Sequence, residues 1–552
     1  LGRAAGKLIR RMTSIADINA DVIIVGSGIA GALLAADLSA AGIKVAILEA
    51  GATVDRAEAT QRYWDALIKV PECPYPPTPQ AEHPVSDNLD YWYRQKGPDK
   101  FKSTYLKVVG GTTWHWLGTC LRHVPSDFRI KSLYGRGVDW PISYDDLEPF
   151  YARAETEIGV AGNSYAPLGA PRSSDYPMPA IPQTYLDKAY EKALEGSVYE
   201  VRATPQGRNS TDRDQRPACC GNASCIPVCP VQAKYDATVH LSRAQKGGAS
   251  LHEQSTATLV EIGPDRHVVA IHFKRPDGSE GRAVGKIFVI AAHAIETPRL
   301  LLNSRSDDSP QGVANGSDQV GRNLMDHPTQ LSWALSNDPV WPYRGPLSTS
   351  GIENLRDGPF RRERPAFRIE IGNDGWSWPT GAPISTAADL ARTGLRGGAL
   401  DAALKHHASR HVRLASLVEQ LPDADNRVTL AASERDMYGV PLPQLSYRLD
   451  DYVQAGLAAT RAAHAEIFAR LGTTQVQHQP AAEGAGHIIG TARMGADPRT
   501  SVVDRDLRSH DHQNLFLLGS AVFPTAATAN PTLTIAALSL RAAGHIKATL
   551  RR

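Results

Sequence analysis

The chain has 552 residues, of which 42% are hydrophobic and 21% charged, with a formal net charge of +2. That length allows more than one lobe around a large core, and the composition is ordinary for a globular enzyme. The near-neutral balance offers no electrostatic footprint for nucleic acid, and no run approaches the roughly 18 to 20 apolar residues of a membrane-spanning helix. Any membrane link is therefore expected through a partner.

Arg10-Arg11 resembles a twin-arginine export signal. The following Met12–Asp17, however, has neither an apolar segment nor a small-residue cleavage site, so Met12 reads as a start and residues 1–11 as an upstream remnant. An apolar strand, Asp21–Val25, a glycine turn, a helix near Ala30–Ala41 and a strand Val45–Leu48 ending in Glu49 make one βαβ unit. Residues 52–105, rich in proline and aromatics around Cys73-Pro74-Tyr75-Pro76-Pro77, predict an irregular covering segment with no regular structure. Thr238–Ser304 returns to strands and short helices, with a buried strand over Lys286–Ala292 running on into Thr297–Leu302.

Residues 331–480 alternate strand-like runs, such as Phe367–Ile371 and Arg427–Leu430, with a helix over Val453–Leu471, which predicts a second lobe inserted between pieces of the first. Arg361-Arg362-Glu363-Arg364 within it reads as solvated surface. From Asn514 the chain is again strand, loop and helix, the helix expected over Pro531–Ala543. The expected division is 12–130 for the first piece of the nucleotide-binding domain with its covering loop and 131–235 for a connecting region. Residues 236–330 form its second piece, 331–480 the substrate lobe, and 481–552 its third piece. The fold class is α/β, a Rossmann-like domain carrying an inserted α+β domain.

Gly26-Ser27-Gly28-Ile29-Ala30-Gly31 is a GxGxxG turn between strand and helix, with Glu49 some twenty residues on. Gly26 permits the tight turn and Gly28 lets the backbone approach a pyrophosphate at the helix N-terminus. Gly31 allows close packing, and Glu49 can take ribose hydroxyls. The proline before Thr532 starts a helix whose positive end would stabilise negative charge on a bound cofactor, with the Thr532 N–H as a further donor.

Four of the six cysteines fall within eleven residues, Cys219-Cys220-x4-Cys225-x3-Cys229, followed by Pro230. Spacing alone leaves three readings open: an iron–sulfur centre, a structural zinc, or disulfides. Cys73 and Cys120 read as buried small hydrophobes. Trp114 and Trp116 either pack in the core or line a substrate site.

Several ordered segments carry a resemblance: the turn above, Gly110-Gly111-Thr112-Thr113-Trp114-His115-Trp116, Thr297-Pro298, Gly321-Arg322-Asn323-Leu324-Met325-Asp326-His327-Pro328, Gly486-His487-Ile488-Ile489-Gly490 and Asn530-Pro531-Thr532. From about Asp21 to the C-terminal helix the chain resembles the glucose–methanol–choline family of FAD oxidoreductases. The cysteine run is similar to that of the large subunits of bacterial membrane-bound sugar dehydrogenases.

The resemblance implies FAD as cofactor, bound by Gly26, Gly28, Gly31, Glu49, Gly110, Gly111, Thr112, His115, Leu259, Gly519, Ser520, Pro531 and Thr532. His115 stands where some members carry a covalent bond to the flavin; a packing role is the other reading. His487 takes the place of the catalytic histidine and Asn530 that of its partner. A histidine suits the task because its ordinary pKa lies near neutrality. Cys219, Cys225 and Cys229 would hold a [3Fe–4S] cluster with Cys220 spare, or all four a [4Fe–4S] cluster.

The implied activity is a sugar dehydrogenase, glucose first, with fructose, gluconate or polyols as alternatives, whose electrons leave through the cluster to a multihaem cytochrome c subunit. An oxygen-reducing oxidase with a merely structural cysteine loop, and a flavin-bearing electron-transfer subunit without a substrate of its own, are the rivals. The implied assembly adds a small subunit bearing the export signal and works at the periplasmic face of the inner membrane.

Overall fold

The computed structural model describes residues 17–66, 93–103, 105–374 and 384–551. Residues 1–11 with Met12, and the Cys73–Pro77 run, lie outside the described residues.

Val22–Val25, Val45–Leu48 and Ile287–Ile290 are apolar tetrapeptides buried at every position, the pattern of parallel strands covered on both faces. They pair in parallel with Leu515–Leu517 and Ser250–His252, in the order 515–517, 287–290, 22–25, 45–48, 250–252. One sheet thus gathers strands from distant parts of the chain. The helix Ile29–Ala40 crosses from its first strand to the next and packs against Thr532–Leu550, which also meets Tyr144–Ile158.

A second sheet is mainly antiparallel, in the order Thr473–His478, Pro328–Ser336, His411–Val418, Phe367–Gly372, Ser350–Ile352, Val201–Ala203, with Glu483–Gly484 also on Pro328–Ser336. The helix Asp451–Leu471 covers one face, burying Val453, Leu457, Ile467 and Phe468. Along Phe367–Gly372 the two-residue period decides each side chain's fate. Phe367, Ile369 and Ile371 join the apolar cluster under that helix, whereas Arg368 and Glu370 fall on the opposite face. Arg427–Arg435 and Pro441–Ser446 form a hairpin that pairs Arg94–Gln95.

Two expectations are corrected. The covering segment begins with a regular helix, Arg56–Asp65, capped by the Asp55 side chain on the Glu58 N–H. The prolines that argued against structure all lie beyond it, and Glu58 pairs with Arg62 at i,i+4. Arg361 is not solvated surface. It is fully buried and ion-paired to Asp127 at 2.8 Å and to Glu419, two carboxylates that are themselves buried. A charge-rich sequence run does not reveal that its first arginine turns inward. The C-terminal helix starts at Thr532, with Pro531 as its cap, and runs to Leu550.

Candidate active site

A cavity of about 1440 Å³ lies between the carboxyl ends of the parallel strands and the polar face of the second sheet, where ligands of open α/β sheets sit. Val25, Leu48, Ala291 and Gly519, each at or just past a strand end, line it. So do Gly26, Gly28, Glu49, Gly111, Thr112, His115, Ser520, Pro531 and Thr532.

The glycines have distinct physical reasons. Gly26 has φ +100°, and a Cβ there would lie 2.5 Å from the Ala291 carbonyl oxygen; one on Gly31 would lie 2.0 Å from the Gly26 oxygen. Gly28, by contrast, faces open space and precedes a helix with no side-chain cap, so the helix N–H groups stay available to a phosphate. The Glu49 carboxylate is locked in place, accepting from the Ser27 N–H (3.0 Å), the Ser27 hydroxyl (2.7 Å) and the Gly51 N–H (2.8 Å). Burial pushes its pKa up, and those bonds oppose the rise. Gly31 and Gly110 shape the turns without lining the cavity; the Gly110 N–H donates to the Ser27 hydroxyl at 3.0 Å.

Leu259 does not line the cavity. It lies in the Thr256–Ile262 strand opposite His272 of the antiparallel Val268–Lys274 strand, and Ser255, Thr256 and Ala257 at the start of its own strand reach the cavity instead. Trp114 is core, its indole N–H on the Val109 carbonyl, while Trp116 lines the cavity with its indole N–H on Tyr235 O. Cys120 is a fully buried core side chain.

His487 and Asn530 meet in this cavity, Asn530 Nδ2 lying 3.3 Å from His487 Nε2. Behind them stand groups that sequence reasoning did not single out. His487 Nδ1 is 3.0 Å from His327 Nδ1, and His327 Nε2 is 3.1 Å from the Ala527 carbonyl oxygen. A carbonyl only accepts, so His327 carries its proton on Nε2 and offers Nδ1 as acceptor. His487 must then hold its proton on Nδ1, which leaves Nε2 bare.

The other end gives the same answer. Buried Arg368 donates to Asn530 Oδ1 at 3.3 Å, so the amide presents its N–H₂ to His487 Nε2, which can only be accepting. Arg368 is itself held by Glu353 at 2.8 Å and Glu370 at 3.3 Å. The Asp326 carboxylate takes the backbone N–H groups of His327 (2.6 Å) and His487 (3.0 Å) and the Ser103 hydroxyl. Although Asp326, His327 and His487 are near enough to share a cation, the two imidazole Nδ1 atoms are committed to each other and the carboxylate to backbone N–H groups and the Ser103 hydroxyl. Burial, then His327, then Arg368 push the His487 pKa well below its ordinary value. The result is a neutral imidazole whose unprotonated Nε2 meets an amide N–H donor in the cavity, a pair able, once a substrate hydroxyl comes between them, to receive its proton and orient its oxygen. The Asp326-His327-Pro328 run carried the signal for His327; nothing local marked Arg368.

Cys219, Cys220, Cys225 and Cys229 line one small cavity together with Arg208 and Asn222, and none is in a disulfide. Asn222 also lines the large cavity. Burial raises the Cys219 pKa, the Arg208 charge opposes the rise, and the charges of Cys225 and Cys229 reinforce it. Buried Lys234 spans the two sites, its ammonium donating to the carbonyls of Trp114 (2.8 Å), Trp116 (2.5 Å) and Cys225 (2.7 Å). Burial lowers its pKa to about 8.

A bare glycine turn at the strand ends, an acid closing the second strand and a base–amide pair across the cleft define a dinucleotide-dependent oxidoreductase of hydroxyl groups. The particular family follows from comparison with known proteins. GMC oxidoreductase models match residues 20–329 and 422–539, and the chain belongs to that family. It is an FAD-dependent oxidoreductase acting on CH–OH groups.

Among curated relatives, the fructose dehydrogenase large subunit of Gluconobacter japonicus is 38% identical over 97% of this chain and 99% of its own. The gluconate 2-dehydrogenase flavoprotein of Pantoea cypripedii is 24% identical over 96% of this chain and 93% of its own. Pyridoxine 4-oxidase from Mesorbium loti shares the fold at a TM-score of 0.61 and 19% identity, over 96% of this chain and 99% of that one. A formate oxidase does so at 0.65 and 15%, over 97% and 99%.

Proposed function

We propose that the chain is the catalytic, FAD-binding subunit of a sugar dehydrogenase whose electrons leave one at a time through an iron–sulfur cluster. The observation that carries the catalytic part is the bare Nε2 of His487 facing the cavity beside the Asn530 amide. His487 receives the hydroxyl proton, and Asn530, held by Arg368, orients the substrate oxygen. Bound FAD supplies the hydride acceptor. Gly28 and the helix N-terminus after it would hold its pyrophosphate and Glu49 its ribose. His115, which lines the cavity, would carry the covalent link, seen as colour that stays with the acid-precipitated protein.

A sugar is supported by the 38% relative, which moves fructose ahead of glucose, and by the cavity's polar wall. Glu370, Asp374 and Arg413 line that wall, Arg413 pairing with Asp374 at 3.0 Å, and such groups suit an array of hydroxyls. Cys219, Cys225 and Cys229 would hold a [3Fe–4S] cluster with Cys220 outside it. The cavity shared by the four thiols supports a centre there, Cys220 is the exposed one of the four, and Asn222 borders both that cavity and the flavin cleft. A buried guanidinium with bare N–H groups beside those thiols suits an anionic, thiolate-bound centre. That the 38% relative is a large subunit supports an assembly with further subunits; the partners we propose are a small subunit bearing the export signal and a multihaem cytochrome c at the periplasmic face.

The test is turnover of fructose, glucose, gluconate and sorbitol with a one-electron dye, alongside electron paramagnetic resonance of the oxidised protein. Dye-linked sugar turnover with a paramagnetic cluster signal is the expected result. Stoichiometric hydrogen peroxide without dye turnover, or an oxidised sample with no cluster signal, would overturn it.

A further inference from the structure

Arg208 and Lys234 face each other directly as an antiparallel pair, an arrangement that puts two like charges on the same face. Both are buried, and neither makes an ion pair with a carboxylate among the described residues. Lys234 spends its three protons on carbonyl oxygens. Arg208 donates from Nη2 to the Leu117 carbonyl at 3.1 Å, but its Nε and Nη1 are buried with no hydrogen-bond partner among the described residues. Asp236, whose charge acts on Lys234, is engaged by Arg56 at 2.6 Å. A buried guanidinium with bare N–H groups is costly, and here it lines the one small cavity bounded by the four cysteines.

We propose that Arg208, with Lys234 behind it, is the counter-ion of an anionic thiolate-bound cluster in this cavity and sets the potential at which that cluster accepts electrons. The inference rests on the cluster reading above. The free Nε and Nη1 protons give the guanidinium donors for cluster sulfur, and hydrogen bonds and positive charge there favour the reduced, more negative state. Arg208 touches neither substrate nor the flavin cleft, so it is a positioning and tuning residue.

The test is a redox titration of the holoenzyme followed by electron paramagnetic resonance, on wild type, Arg208→Met, Arg208→Gln and Arg208→Lys, with iron and acid-labile sulfide measured in each. The cluster midpoint is expected to fall in Arg208→Met and in Arg208→Gln, which keeps donors but not charge, and to stay near wild type in Arg208→Lys. Substrate-driven flavin reduction stays within about twofold throughout. If Arg208→Met loses its iron, the Arg208→Gln midpoint decides. An unshifted midpoint in Arg208→Gln or Arg208→Met overturns the proposal while leaving the cluster in place, whereas wild-type protein without iron overturns the cluster reading itself.

Discussion

Replacing His327 by leucine removes the acceptor for the His487 Nδ1 proton without touching the nitrogen that meets the substrate. In the wild type the proton position is set by a series of bonds, Ala527 O to His327 Nε2 at 3.1 Å, His327 Nδ1 to His487 Nδ1 at 3.0 Å, and Asn530 Nδ2 to His487 Nε2 at 3.3 Å. Leucine leaves the Nδ1 proton buried and unpartnered, which costs about 1–3 kcal/mol. The imidazole escapes that cost by moving its proton to Nε2, the tautomer that cannot accept the substrate proton.

At about 1.4 kcal/mol per tenfold, the reactive fraction and the rate of flavin reduction at saturating substrate fall about 5- to 150-fold, with little change in KM. Stopped-flow absorbance of the flavin measures this directly. His327→Asn, whose amide oxygen replaces the lost acceptor, recovers most of the rate. Nitrogen-15 spectra of histidine-labelled enzyme report the tautomer independently of activity. Wild-type flavin reduction in the leucine variant, or a wild-type His487 carrying its proton on Nε2, would refute the reasoning.

Three further outcomes follow from the same structure. Because burial, His327 and Arg368 hold the His487 pKa well below its ordinary value, the base stays neutral under mild acid. The rate of flavin reduction should therefore hold level from pH 7.5 down through the ordinary histidine range near about 6.5; an inflection there would contradict the depressed pKa. His123, His327 and His464 are buried, and burial first of all lowers each pKa to about 3. Above the unfolded value of about 6.5 their full contribution to stability is present, and it drains as pH falls through the window down to about 3, because only the unfolded chain takes up protons. At pH 5 that is about 2 kcal/mol each, partly offset by Asp326, whose pKa burial raises to about 6. Differential scanning calorimetry should show Tm falling from pH 7 to 5, and a flat or rising Tm would count against it. Cys225→Ser should cost most of the bound iron and Cys220→Ser little, as read by metal analysis; equal losses would argue for four ligands.

The sequence by itself determined the elements whose cause is local. The βαβ turn was legible because Gly26, Gly28 and Gly31 answer steric demands set within a few residues, and because Val22–Val25 and Val45–Leu48 are uninterrupted apolar runs. The helix Asp451–Leu471 was legible from its apolar spacing, and the His487 and Asn530 positions from ordered motifs. Only the tertiary structure decided what stands behind those motifs. His327 lies 160 residues from His487, and Arg368 162 residues from Asn530, so no spacing rule connects them. The fates of Arg361, buried against Glu419, and of Leu259, which does not line the cleft, are likewise products of packing. A sequence names a base, but the state of its proton depends on hydrogen bonds made by residues that only folding brings together.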